Sequence, residues 1–229
     1  MKITYYGHAC FAVETASHRL LFDPFISQNP LARDIDVNAI AADFILVSHG
    51  HGDHIADCIA IANRTGATVI SNYEVGLWLE GQGVKTTMPM NHGGAAKTDF
   101  GRVKLTSAIH SSSMPDGSYG GNPVGFLVET VDGNFYYSGD TALTYDMRLV
   151  GKTGLPLSFA ALPIGDHFTM GIEDAITAAE YAGTRTILGL HYNTFPPITI
   201  DTGAAQEMAR TTGVTLLLPK IGETIEAPR

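Results

Sequence analysis

Short apolar runs punctuated by glycine, proline and asparagine recur along the whole chain, with longer stretches of helical spacing between them. Alternating apolar positions rich in β-branched and aromatic residues predict strands at 2–6, 10–15 and 19–23, a meander. A strand at 43–47 runs into a turn rich in glycine and histidine, followed by a helix at 54–64 and a strand at 67–70. A helix at 72–80 leads to a strand near 84–88, and strands then crowd together at 102–109, 124–130 and 134–138. Strand 159–163, helix 172–182, strand 186–190, helix 202–212 and strand 214–218 close the pattern. Segment 111–123, Ser-Ser-Ser-Met-Pro-Asp-Gly-Ser-Tyr-Gly-Gly-Asn-Pro, is the clearest loop; it is either a cover over a substrate or a plain solvated connection. These elements fit an α+β protein with two β-sheets stacked face to face and helices outside. No Pro- or Ser-rich linker divides residues 1–229, so one domain is expected.

Composition narrows the class. An apolar share of 45% and a charged share of 16% over 229 residues are ample for a packed core and argue against disorder. The formal net charge of −9, with 14 Lys and Arg residues, disfavours general nucleic-acid binding, which needs a basic face. No apolar run approaches the roughly 18 residues of a membrane span. The segment Met1–Tyr6 has the pattern of a strand and lacks the apolar core of a signal peptide, so a cytoplasmic protein is expected. The two cysteines, Cys10 and Cys58, suggest no disulfide framework and suit small core positions.

Residues 49–54, His-Gly-His-Gly-Asp-His, directly follow the apolar run 44–47 and Ser48. Three imidazoles and a carboxylate packed so closely are the ligand types that borderline divalent metals prefer. His49 and His51 project to the same side of an extended segment, while Asp53 and His54 enter the helix. Gly50 and Gly52 leave room for unusual backbone angles and for close approach of a metal. The remaining ligands should stand at the ends of other strands, and His110, Asp140 and His191 each follow a run suited to a buried strand.

These residues resemble the metallo-β-lactamase superfamily: the His-x-His-x-Asp-His motif, His110, the Ser138-Gly139-Asp140-Thr141 segment and His191 stand in the superfamily's order. The resemblance tightens to a branch of predicted metal-dependent hydrolases through Gly7-His8-Ala9-Cys10-Phe11, Asp23-Pro24-Phe25, Met90-Asn91-His92-Gly93-Gly94 and Gly165-Asp166-His167-Phe168-Thr169-Met170-Gly171. More distant relatives include ascorbate phosphate lactonase and a phospholipase D acting on N-acyl ethanolamine lipids. The resemblance implies a four-layer αββα sandwich of two mixed sheets, its two halves related by approximate symmetry with the break near residues 120–130. It implies two divalent ions, zinc first and manganese, nickel or iron as alternatives. His49, His51 and His110 would hold one ion, Asp53, His54 and His191 the other, and Asp140 would bridge them. A metal-bridging hydroxide would then attack an ester, lactone or phosphodiester without any side-chain nucleophile.

Around that centre the resemblance implies an acid at Asp23 that orients a ligand histidine, and places His8 either facing the metal pocket and the substrate or in a structural hydrogen-bonding role. Asp53, Asp166 and His167 are the candidate catalytic residues: one of the last two would donate a proton to the leaving group, or Asp166 would coordinate or hydrogen-bond at the second metal, the alternative being a plain helix-entry turn; His92 is a further substrate candidate. The expected partner is a small-molecule substrate, with homo-oligomers common among such relatives. Two other classes compete. An iron redox protein would favour a carboxylate where His51 stands, and a non-catalytic metal or ligand sensor would be expected to lose ligands.

Overall fold

In a strand, successive side chains point to opposite faces, so a strand apolar at every position is one covered on both sides. Phe44-Ile45-Leu46-Val47 is such a strand: Phe44 and Leu46 join one core while Ile45 and Val47 join another. The computed structural model describes residues 1–228 and repeats this arrangement through two sheets. The first holds β1 (Lys2–Gly7), β2 (Cys10–Glu14), β3 (Arg19–Phe22), β4 (Phe44–Val47), β5 (Thr68–Asn72) and β6 (Thr87–Met90), with β14 (Thr224–Glu226) beside β1. The second holds β7 (Ala95–Thr98), β8 (Gly101–Ser107), β9 (Val124–Thr130), β10 (Gly133–Tyr137), β11 (Leu157–Pro163), β12 (Thr186–Leu190) and β13 (Thr215–Leu217) in sequential order. Both sheets are mixed. β1 to β3 and β7 to β10 pair antiparallel, whereas β3 to β6 and β10 to β13 pair parallel.

Between the sheets lies a core of Phe11, Phe22, Phe126, Phe135, Tyr137 and Phe159 with their aliphatic neighbours. On the outer face of the first sheet, α1 (Gly52–Ile55), α2 (Cys58–Thr65) and α3 (Tyr73–Gly81) bury Ile55, Ile61, Val75 and Leu79 against Ile45, Val47 and Val69. The second sheet is covered by α4 (Met147–Gly151), α5 (Ile172–Ala182) and α6 (Thr202–Thr211). In α5 the buried face is Ala175, Ala178, Ala179 and Ala182, the i, i+3, i+4, i+7 stripe of a surface helix. The four layers expected from the sequence are therefore present. Among the described residues no helix is long and apolar enough to cross a membrane.

The details differ from expectation in three places. The helix expected at 54–64 is two helices, because Asp57 at the break is engaged elsewhere: its carboxylate accepts from Ile26 N (2.6 Å), Ser27 N (2.9 Å) and Ser27 Oγ (2.5 Å). The chain passes from one sheet to the other at residues 91–94, between β6 and β7, and not near 120–130. β7, β14 and α4 were absent from the sequence pattern; β7 and β14 are edge strands of three or four residues with little apolar content.

Candidate metal centre

β1 and β3 both run antiparallel to β2, and β8 and β10 both run antiparallel to β9, so all four end at one edge of the sandwich together with β4, β11 and β12. His8, Asp23, His49, His110, Asp140 and His191 lie just beyond these C-terminal strand ends, the position from which open sheets commonly present ligands. His8, Asp23 and His191 adopt left-handed backbone angles, with φ of 55°, 39° and 55°. Each such residue stores about 1–3 kcal/mol, tolerated where the surroundings fix it. Gly139 also turns left-handed, at φ 62°, and a Cβ there would stand 2.5 Å from Val124 O and 3.0 Å from the Ser48 Cβ. Only glycine lets the 138–141 turn pass close enough to bring Asp140 to the histidines. At Gly50 the close neighbours are Met114 and the Ser113 carbonyl, so its missing side chain makes room for the 111–123 loop and not for a metal.

Two groups of donors result, each with its ligand atoms within 4.8 Å of one another: His49, His51 and His110, and His8, Asp53, His54 and His191; a third, Asp23, His49 and His54, overlaps both. His49 Nε2 faces His51 Nδ1 at 2.9 Å. Asp140 Oδ2 stands 3.2 Å from His54 Nε2, 3.0 Å from His191 Nε2 and 3.7 Å from His110 Nε2, between the two groups. Asp23 lies beneath them, fully buried, and accepts four hydrogen bonds. They come from Ser48 N (2.7 Å), Ser48 Oγ (2.5 Å), Tyr137 Oη (2.5 Å) and His54 Nδ1 (2.7 Å). Because the Ser48 hydroxyl donates to Asp23, its oxygen accepts from His49 Nδ1 at 2.9 Å. One carboxylate thus fixes the tautomer of two imidazoles, His54 directly and His49 through Ser48.

The electrostatics draw positive charge to this place. Burial opposes the charged form of Asp140, yet His191 and His54 beside it hold its carboxyl well below the usual range. Burial likewise opposes a charged His54, and Asp140 and Asp23 outweigh it, raising its pKa. His49 is lowered by burial first and then by neighbouring His54. His8 is lowered to about 4 by burial, against the pull of Asp53. His54 Nε2 is buried, faces a carboxylate oxygen and has no hydrogen-bond partner among the described residues. An imidazole and carboxylate set with an orphaned ring nitrogen turned into it fits a divalent cation.

The other residues singled out from the sequence fall outside these groups. Asp166 and His167 occupy a left-handed turn (φ 58° and 50°) with exposed side chains, and Phe168 is the residue of that turn that lines the cleft. This placement does not support the proton-donor role expected of them. His92 bonds the Pro123 carbonyl through Nε2 at 2.8 Å and Asn91 through Nδ1 at 3.0 Å, a loop-fixing role away from the donors. Sequence reasoning passed over Ser48, Tyr137 and Thr194, whose hydroxyls carry no signal of their own in a strand or turn.

The 111–123 loop is clamped. Asn72, buried at the start of α3, accepts from Val75 N and donates to the Gly120 (2.8 Å) and Asn122 (2.9 Å) carbonyls, while Trp78 Nε1 donates to Asp116 at 2.7 Å. Ser112 Oγ accepts from Gly50 N, tying the loop to the metal motif. Asn72→Ala removes a helix cap and two loop bonds. It is expected to cost about 2 kcal/mol and to speed amide exchange across 111–123. Mass-detected hydrogen exchange checks this, and unchanged protection in the loop would place the clamp elsewhere.

The comparisons agree with the geometry. Residues 18–192 match the model of the β-lactamase superfamily domain. A UPF0173 metal-dependent hydrolase of Methylacidiphilum infernorum is 48% identical over 98% of this chain and 99% of its own. One of Flavobacterium johnsoniae is 48% identical over 99% of this chain and 100% of its own. Among solved structures, a metallo hydrolase from the archaeon Ignicoccus hospitalis superposes with a TM-score of 0.86 at 33% identity, covering 98% of this chain and 97% of that one. With the sandwich and the His/Asp centre both in place, the chain belongs to the UPF0173 family of metal-dependent hydrolases, on the metallo-β-lactamase fold.

Proposed function

We propose that this chain, as one domain over residues 1–229, hydrolyses a small ester, lactone or phosphodiester at a centre for two divalent ions. The observation that carries the reading is the position of the Asp140 Oδ2 oxygen, 3.0–3.7 Å from one histidine of the first group and two of the second. His49, His51 and His110 hold one ion; Asp53, His54 and His191 hold the other; Asp140 is shared. Two such ions, when bound, supply Lewis acidity and lower the pKa of a water so that hydroxide is available near neutral pH. The chain's own residues do the rest. Asp23 and Ser48 hold His54 and His49 with their lone pairs turned inward. Phe168 and Phe195 wall a cleft of about 300 Å³, at the lower end of small-molecule sites, and exclude water from one side of it. Ser111, whose Oγ is 3.5 Å from His51 Nε2, offers the cleft a hydroxyl donor.

Zinc is the first candidate metal, with manganese, nickel and iron behind it, since a mixed His/Asp set accepts all four. Two buried free thiols, Cys10 and Cys58, support a reducing compartment such as the cytoplasm. A homo-oligomer is part of the same reading and is checked by light scattering. The central test is elemental analysis of the purified chain beside turnover of bis(p-nitrophenyl) phosphate and a panel of lactones. About two ions per chain, with turnover lost on chelation and restored by metal, is the expected result. Two ions without turnover of any ester would overturn the substrate class, and fewer than two would overturn the centre.

A further inference from the structure

We infer that His8 is a positioning residue for the second ion, acting on Asp53 through its ring and on His191 through its carbonyl, and that Thr194 fixes the tautomer in which it works. This rests on the two-ion reading above. His8 is 1% exposed. Its Nε2 stands 3.0 Å from Asp53 Oδ2 and its Nδ1 stands 3.0 Å from Thr194 Oγ1. An ionised carboxylate can only accept, so Nε2 carries the hydrogen and Nδ1 keeps a lone pair. The Thr194 hydroxyl then donates to Nδ1; its alternative acceptor, the Tyr192 carbonyl, is farther at 3.4 Å. Phe25 and Phe195 meet the imidazole edge-on at 5.5 and 5.4 Å, and His191 lies against it at 4.1 Å between centroids, so the ring has little freedom to turn.

The contacts separate His8 from the ligands. His54 Nε2 lies 4.0 Å from Asp53 and 3.2 Å from Asp140, and His191 Nε2 lies 4.0 Å from Asp53 and 3.0 Å from Asp140. Asp53 is the one carboxylate His8 pairs with among the described residues, through the same Oδ2 oxygen that lies 4.0 Å from His54 and His191. Asp53, His54, His191 and Asp140 already make the four donors a tetrahedral ion takes. The Asp53 side chain is 30% exposed in the cleft and, without a partner behind it, free to swing into solvent. The bond from His8 fixes its carboxylate plane. At the same residue the backbone turns left-handed, and the His8 carbonyl accepts from His191 N at 2.9 Å. One buried residue thus sets two members of the second group.

The test uses the full chain as wild type, His8→Ala, His8→Gln and Thr194→Val, each stripped of metal and titrated with Co²⁺. Visible absorption and elemental analysis are read beside the thermal midpoint. In His8→Ala the first equivalent is expected to bind as in wild type and the second about 10–100-fold more weakly, with its ligand-field bands unchanged in intensity. Thr194→Val should weaken the second equivalent about three- to tenfold, a part of the same effect. His8→Gln, whose amide N–H reaches toward Asp53, should recover most of the loss. An unchanged second equivalent in His8→Ala, a glutamine no better than alanine, or both equivalents weakened alike would each overturn the inference. So would band intensities in His8→Ala that report a lost nitrogen donor, since His8 would then be a ligand. Should His8→Ala fail to fold, His8→Gln and Thr194→Val carry the test. A wild-type chain that takes up fewer than two equivalents sinks the two-ion reading itself and this inference with it.

Discussion

Asp140→Ala is expected to leave less than one equivalent of metal per chain and to lower hydrolysis by about 10³-fold or more, a loss of about 4 kcal/mol in transition-state stabilisation. The reason is position. Among the described residues Asp140 is the one carboxylate within 4 Å of histidines from both groups, and the pKa of His54 is raised first by Asp140 and then by Asp23. Without it, no carboxylate stands between the two groups, and Asp53 and Asp23 alone remain to offset the cations. Asp140 lies at the end of the Gly139 turn and not in a sheet, so the sandwich should survive and the thermal midpoint of the metal-free variant should stay near that of metal-free wild type. Elemental analysis and a turnover assay decide the matter. Two full equivalents retained in Asp140→Ala would end its assignment as the shared ligand.

The second large effect belongs to Asp23. Asp23→Asn keeps the size of the side chain and suits a left-handed backbone, so it isolates the carboxylate's chemistry. In the wild type four donors converge on Asp23, from Ser48 beyond β4, His54 in α1 and Tyr137 in β10. An amide in its place turns hydrogens toward hydrogens or loses an acceptor, deep in the structure and at the join of the two sheets. The expected cost is about 3 kcal/mol of folding stability, with a 10–100-fold weaker hold on metal because His54 and His49 both lose their orientation. Urea denaturation of the metal-free chain measures the first and metal titration the second. A change below about 1 kcal/mol would mean that the network is not what ties the sheets together at this edge.

The candidate ligand positions were legible in the sequence for a physical reason. Histidine and aspartate have no place in a packed core without partners, so His49, His51, His54, His110, Asp140 and His191 stand out against the apolar strands they follow. The strands themselves showed because β4, β9, β11 and β12 are buried on both faces and read as unbroken apolar runs. What supports the ligands was not legible. Tyr137 occupies an inward position of β10 beside Phe135, where any aromatic reads as core, and only the fold shows that its hydroxyl crosses to Asp23. Ser48 and Thr194 are small hydroxyl residues whose partners are distant in sequence. Asp166 and His167 stood out because a polar pair between a buried strand and a helix resembles an active-site loop. Here the pair satisfies a local turn, with the Asp166 carbonyl accepting from Thr169 N. The split of the 54–64 helix was hidden for a similar reason, since Asp57 acts on residues 26 and 27 and not on its own helix.

β14 has a consequence for how the protein folds. It pairs Glu226 with Lys2, Ile225 with Ile3 and Thr224 with Thr4, so β1 is covered by a strand from the far end of the sequence. Until β14 docks, β1 keeps one row of backbone amides and carbonyls open. Before that pairing forms, the first sheet is exposed to strand addition from neighbouring chains. Because that ladder joins segments more than 200 residues apart, it belongs to the slow, non-local part of folding.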